Sequence, residues 1–400
     1  MTNKKSAIIS ISTLVAIFAV AINMRPAITS IGPMLDVMRE ELVLTNAQVT
    51  LLTTLPVVCM GVFATLAPLL NRLLGLRNTM YSMLMVVGLF TALRGFYANY
   101  AILVLSSIFI GIAIAIMGPL VSAMIKQRFP DRAASVIGVY SFGMGVGATM
   151  SAGLTVLFYE KSGSYPLALG SWSLLSIIGL VFWSAAMLNR GGVKKSVPVQ
   201  VYKSQTAQVS PWKVKKAWIF LLFFGLQASA FFSIITWLVP IALAKGMTLL
   251  QAGTLVSIMT SVQIVLNIVL PLLMERFQAR KLWLIILLLI GFAAIALLWS
   301  GVSTFMWIGA AMMGVPLGGL FPAALVLPLD ETRTPGETNA WTAMMQTGGF
   351  ILAGVVPLLI AILYDYTGNH NYTFMIFTLL FLGMFILTFI IGDKNGSKDS

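Results

Sequence analysis

Charge is scarce in this sequence. Asp, Glu, Lys and Arg make up 9% of the 400 residues, against a hydrophobic share of 59%, whereas soluble chains carry about 25% charged residues. Mean hydropathy is +0.96. A chain this apolar cannot cover a water-facing surface, so the two or three soluble domains that its length would otherwise suggest are excluded. Cysteine is limited to Cys59, which rules out an internal disulfide and a cysteine-built metal site. Cys59 sits in an apolar run and reads as a small buried hydrophobe. The single histidine, His370, falls in the polar stretch Thr367-Gly368-Asn369-His370-Asn371 and reads as a solvated loop residue. Asp, Glu, Lys and His are missing from the middle of every apolar run; Asp36, Glu40, Glu41, Glu160 and Asp365 all read as outer-loop or interface residues. That removes the constellation an enzyme would need inside the membrane, and with it the usual proton site of a proton-coupled carrier. No metal site or cofactor is expected, and no cleavable signal peptide is evident after Lys4 and Lys5.

What the sequence has is length without charge. Uncharged runs cover 42–71, 95–125, 133–159, 162–189, 217–244, 246–274, 338–364 and 366–392. A membrane-spanning helix needs about 20 apolar residues in a row, whereas barrel strands alternate over about 10. The run 282–329 is long enough for two spans, with Ser300-Gly301-Val302-Ser303 as a turn in its middle; shorter runs at 6–24 and 78–93 each end at an arginine. The expected fold is all-α and integral to the membrane, with twelve transmembrane helices.

The net charge of +13 follows topology. Of the 25 Lys and Arg, 20 fall at the N-terminus, in the even-numbered loops or at the C-terminus. Positive loops stay in the cytoplasm, so both termini are expected there, in a bacterial plasma membrane, and no nucleic-acid partner is expected. The stretch 190–216 holds seven Lys/Arg and no acidic residue. It reads as a basic linker near anionic headgroups. It separates an N-terminal half, 1–189, from a C-terminal half, 217–392, with a tail at 393–400. A faint repeat joins the halves: Asn71-Arg72-Leu73-Leu74-Gly75-Leu76-Arg77 returns as Glu275-Arg276-Phe277-Gln278-Ala279-Arg280-Lys281, and Gly143 returns as Gly348. Two six-helix halves in parallel repeat are the pattern of the major facilitator fold.

The chain resembles a major facilitator superfamily transporter along its whole length. The loop 71–77 is similar to that superfamily's signature, with Asn71 where an aspartate is usual and Arg72, Gly75 and Arg77 in place. The resemblance implies a gating role for Arg72 and Arg77 and for Arg276 and Arg280 of the second half. Further stretches narrow the likeness: Asn23-Met24-Arg25-Pro26-Ala27-Ile28-Thr29-Ser30-Ile31-Gly32-Pro33, Gly138-Val139-Tyr140-Ser141-Phe142-Gly143-Met144-Gly145, the segment from Gly314 to Pro322, Met345-Gln346-Thr347-Gly348-Gly349, and Leu363-Tyr364-Asp365-Tyr366-Thr367-Gly368. Together they are similar to the cyanate permease and 2-nitroimidazole exporter (CynX/NimT-type) family. The resemblance implies a small planar or anionic solute, moved by alternating access.

Arg25 is the pivotal residue. Counted back from Asp36 it lies eleven residues in, about 16 Å at the helical rise, near the middle of a core about 30 Å thick. A charge at that depth usually faces a cavity, and guanidinium presents a planar fork suited to oxyanions. Pro26 follows, so a helix bend is expected there. Arg94 ends its run close to the outer interface and reads as a snorkelling side chain. The other expected solute-binding residues are uncharged: Tyr140, Gln227, Phe231, Trp237, Gln263, Asn267, Trp341 and Gln346. Gln263 and Asn267 are spaced i, i+4 on one face, and a buried amide needs a partner. The expected protein is thus a monomeric secondary transporter of a small polar or anionic solute. A multidrug exporter, proton-coupled or not, is the alternative; the span 4 and span 5 motifs of the drug–proton antiporters are missing.

Overall fold

The computed structural model describes residues 2–96, 99–129, 133–188, 210–277, 279–332 and 335–392. Among the described residues there is no strand. Three helices, α1 (Thr2–Asn23), α2 (Pro26–Thr29) and α3 (Leu35–Leu42), build the first span. The second and third come from α4 (Asn46–Phe63) and α5 (Ala67–Phe96), the fourth from α6 (Tyr100–Arg128), the fifth from α7 (Ala133–Ser162), and the sixth from α8 (Tyr165–Gly170) with α9 (Ser173–Leu188). The seventh to twelfth are α10 (Lys215–Ala244), α11 (Leu249–Arg276), α12 (Arg280–Ser300), α13 (Ser303–Glu331), α14 (Pro335–Thr367) and α15 (Asn371–Ile391).

Eleven stretches of the described chain are long and apolar enough to cross a membrane, but one of them, Asn46–Phe96, is 51 residues long. As one helix it would reach about 76 Å, far beyond a core of about 30 Å. The chain solves this at Gly75, whose φ of 76° and ψ of 158° break the helix inside α5. No neighbouring atom lies within 4 Å of where a side chain would start, so the left-handed backbone, and not crowding, demands glycine. The Thr79 hydroxyl donates across the turn to the Leu70 carbonyl at 3.1 Å. The long apolar run 282–329 divides as its sequence implies: α12 stops at Ser300 and Gly301 closes it with φ 71°.

The chain divides into two compact units, Met1–Lys203 and Ser204–Ser400. Residues 190–209 of the expected linker, 190–216, and the tail 393–400 lie outside the described residues. Each unit carries the same internal pairing. In the first, span 1 packs on spans 5 and 6, span 4 on spans 2 and 3, and span 3 on span 6; in the second, span 7 packs on spans 11 and 12, span 10 on spans 8 and 9, and span 9 on span 12. The repeat extends to helix starts. Thr45 with Gln48 caps α4 and Thr248 with Gln251 caps α11, each as a reciprocal pair of side-chain and backbone bonds, which satisfies two otherwise orphaned N–H groups.

The second unit is clasped by the acids at the end of α13. Arg280 is 6% exposed; its Nη1 donates to Asp330 Oδ2 at 3.0 Å and its Nε and Nη2 to the Gly392 carbonyl. Lys216 reaches Glu331 at 2.6 Å but is 36% exposed. Buried charged bonds are worth more than solvated ones. Asp330→Asn is therefore expected to cost about 2 kcal/mol, and Lys216→Ala well under 1 kcal/mol, both read from thermal unfolding in detergent.

His370 departs from its sequence reading. It is 8% exposed, stacked on Tyr364 at 4.2 Å and edge-on to Trp237 at 6.0 Å. The turn before α15 folds the ring under these aromatics, which a polar loop sequence does not reveal. Neither ring nitrogen has a hydrogen-bond partner among the described residues. Burial, helped by the Lys245 charge, pulls its pKa from 6.5 down to about 4. The folded state thus holds the neutral ring, so this contribution to stability is complete above pH 6.5 and is lost as the pH falls towards 4. Stability is expected to drop by about 1.4 kcal/mol per pH unit through that window. His370→Phe, which keeps the stack, should flatten that part of the melting-temperature profile.

A candidate anion site at a broken helix

The first span is broken where its arginine stands. Pro26 has no N–H, so the carbonyl of Ile22 loses its helical donor. The chain passes through Met24 and Arg25 as a turn and restarts at Pro26. Arg25 adopts φ −107° and ψ −40° as the residue before α2. Its carbonyl accepts from the Ile28 N–H, the Thr29 N–H and the Thr29 hydroxyl, each at 2.9 Å.

Four neighbours fix this break. Asn23 Nδ2 donates to the carbonyls of Ala19 at 2.8 Å and Leu175 at 2.7 Å, and its Oδ1 accepts from Ser176. The Thr29 and Ser151 hydroxyls share a hydrogen bond of 2.5 Å. Gly147 of α7 lies flush against the Ile22 carbonyl, with the Pro26 ring 3.2 Å from where its Cβ would be. One turn earlier, a Cβ on Gly143 would come within 2.9 Å of Ala21. The glycine pair, spaced i, i+4, lets two backbones meet.

The fourth neighbour is Arg94, and here the structure overturns the snorkelling reading. Arg94 is 1% exposed. Its Nε donates to Ser106 at 2.8 Å, Nη2 to Ser107 at 2.9 Å and Nη1 to the Ala27 carbonyl at 2.6 Å. The reason lies next door: Gly95 and Gly170 bring α5 and α8 into backbone contact, so that a Cβ on Gly95 would lie 3.2 Å from the Gly170 Cα. α8 thus covers the end of α5 that the sequence places at the interface. The adjacent hydroxyls Ser106-Ser107 are the sequence signal of this arrangement, masked because one charge near a run end looks like an anchor.

Of the expected site residues, the structure brings Tyr140 to Arg25. Tyr140 is buried, and its hydroxyl donates at 3.4 Å to the sulfur of Met24, the residue before Arg25. Gly118 of α6 leaves room, since its Cβ would sit 3.7 Å from that hydroxyl and 3.8 Å from the Met24 methyl. Arg25 itself is half-buried.

In the second unit Gln227 is buried, and its Oε1 has no hydrogen-bond partner among the described residues; the same holds for Trp341 Nε1 and Asn267 Oδ1. Trp341 packs on Phe220 at 5.9 Å, which shares a helical face with Gln227 and Phe231 by i, i+7, i+11 spacing. Phe231 is edge-on to Phe232 at 5.0 Å. Gln263 and Asn267 are half-buried on α11; the Gln263 backbone is gripped by Gly314 and Gly318, whose Cβ atoms would fall 3.1 Å from its nitrogen and 2.5 Å from its oxygen. Gln346 is half-buried. Trp237 stands apart, ten residues along α10 from Gln227, about 15 Å. Its Nε1 donates to the Pro357 carbonyl at 3.2 Å and its ring meets Tyr364 at 5.7 Å.

Residues 9–354 match the sequence pattern of the Major Facilitator Superfamily. The chain belongs to that superfamily. It is a multi-pass membrane transporter and not an enzyme. It is 29% identical to an uncharacterized transporter of Bacillus subtilis (strain 168), over 94% of this chain and 92% of that one. It is 28% identical to the cyanate transport protein CynX of Escherichia coli (strain K12), over 94% and 96%, and 24% identical to the 2-nitroimidazole transporter of the same organism, over 96% of each. Among solved structures, the nucleoside transporter NupG superposes with a TM-score of 0.72 at 13% identity, over 95% of this chain and 98% of that one. Against the superfamily's signature loop, Asn71 is buried and its Oδ1 is without a partner among the described residues, while Arg72 and Arg77 are exposed. Arg276 is exposed beside the Phe277 ring, whereas Arg280 is already engaged within its own unit.

Proposed function

We propose that this superfamily member is a secondary transporter of a small polar or anionic solute, cyanate-like or nitroimidazole-like, working by alternating access. One observation carries the reading: an arginine stands at a built helix break inside a span, next to Met24, whose sulfur the Tyr140 hydroxyl meets. A helix break exposes backbone polar groups, which a membrane interior tolerates only where protein or a water-filled cavity meets them. Arg25 is the proposed solute anchor. Cyanate, carboxylate and nitro groups all present acceptor atoms to its fork. The relatives named for cyanate and for 2-nitroimidazole support that solute class. Within the second unit, Gln227, Asn267 and Trp341 are the proposed solute-facing groups. Phe231, Gln263 and Gln346 stand as lesser candidates, and Trp237 is assigned to packing.

The test is electrical. Purified protein in liposomes on a supported membrane is challenged with cyanate, nitrate, nitrite, short carboxylates and 2-nitroimidazole, and a counterflow assay on the same liposomes reads electroneutral exchange. A saturable response to one small anion is expected. Counterflow of 2-nitroimidazole alone would keep the nitroimidazole-like solute and exclude the anionic one; silence across the whole panel in both assays, with folded protein, would replace this reading with the neutral drug-like solutes of an exporter.

A further inference from the structure

The use of Arg94 is concealed by the sequence. Arg94 lies in the first unit, 1% exposed, and no carboxylate lies within salt-bridge distance among the described residues. Keeping a guanidinium in an apolar bundle without a counter-charge is expensive, and it persists only where its donors are well used. Two of its three bonds go to neighbouring hydroxyls of α6, which aim the group. The third, the 2.6 Å bond from Nη1 to the Ala27 carbonyl, leaves the aimed group and lands on the segment just past the break. Ala27 follows Pro26 directly, two residues after Arg25.

We propose that Arg94 is a positioning residue: held by Ser106 and Ser107, it pins Ala27 and so keeps the Arg25–Thr29 segment in the conformation that presents the Arg25 guanidinium. The effect on transport rests on the reading of Arg25 as solute anchor; the effect on the segment does not. A charge-assisted bond to a backbone carbonyl ties α2 to α5 and α6 without filling space, so its loss frees the segment and leaves the packing elsewhere intact.

The experiment pairs two readouts on full-length protein in detergent and in liposomes. Hydrogen exchange by mass spectrometry follows the peptide covering 22–34, with peptides of α11 and α12 as internal references. Cyanate uptake gives the half-saturating concentration and the maximal rate. For Arg94→Gln, exchange in 22–34 is expected to rise about tenfold while the reference peptides stay unchanged, and half-saturation to rise about tenfold with the maximal rate held within about twofold. Arg94→Lys keeps the charge but cannot reach all three acceptors, and is expected to behave like Arg94→Gln. The double variant Ser106→Ala, Ser107→Ala, which retains Arg94 and removes its aim, is expected to give a rise of about threefold, and it serves if Arg94→Gln does not fold.

Unchanged exchange in 22–34 in folded Arg94→Gln, or in the double variant, overturns the proposal. Wild-type half-saturation in Arg94→Lys together with a loss in Arg94→Gln also overturns it, because charge alone would then be what counts. A tenfold rise in exchange with half-saturation unmoved supports the pinning of the segment and overturns the anchor role of Arg25 instead.

Discussion

Arg25→Ala and Arg25→Lys are both expected to lose at least about a hundredfold in anion transport while remaining folded. Removing one partner of a desolvated charged pair costs several kcal/mol, and each 1.4 kcal/mol is about tenfold in affinity. Alanine removes charge and donors together. Lysine keeps the charge but offers a compact ammonium in place of a planar fork, so it cannot hold two acceptor atoms of one solute at once. The measurement is counterflow of cyanate into liposomes across a range of concentrations, with thermal unfolding of each variant as the folding control. Near-normal transport by folded Arg25→Ala would remove the anchor; near-normal transport by Arg25→Lys alone would leave a charge requirement and no requirement for the fork.

Gly147→Val is expected to damage the fold strongly. The valine Cβ would meet the Ile22 carbonyl and the Pro26 ring, and neither is the far end of a flexible side chain. The helices must therefore separate at the break itself. Overpacking against rigid backbone costs roughly 3 kcal/mol or more, which corresponds to a melting temperature lower by about 6–12 °C in a unit of this size. Gly138→Val, on the same helix with no neighbour within 4 Å, is the matched control and should melt close to wild type. Fluorescence-detected size-exclusion after heating compares the two without purification. If Gly147→Val melts like Gly138→Val, the close contact between α7 and the break is wrong.

The spans and their number were legible because a bilayer imposes one length on every helix, and uncharged runs report it directly. The Ser300–Ser303 turn was legible for the same reason. Arg25 stood out because a charge far from both ends of a run has few explanations. Arg94 has the same chemistry but sits near a run end, where sequence distance and depth part company: whether α8 folds over it depends on Gly95 meeting Gly170 from another span, a long-range contact that periodicity does not encode. His370 departs from its sequence for a similar reason, since a polar loop can still tuck one ring beneath Tyr364. Trp237 and Gln227 share a helix but lie about 15 Å apart along it, which composition blurs and geometry separates.

The lone thiol has a practical consequence. Cys59 is 5% exposed on α4, and a Cβ on Gly111 would fall 2.8 Å from the Cys59 Cβ and 2.5 Å from the Pro56 Cα. Water-soluble maleimides should therefore pass the native protein by. Cys59→Ala shortens a side chain that faces backbone and leaves a background with no thiol at all. One cysteine introduced in each six-helix unit of that background and labelled with a spin label or fluorophore would then report distances from the chosen positions only, on a protein differing from its natural form at Cys59 and the two labelled positions.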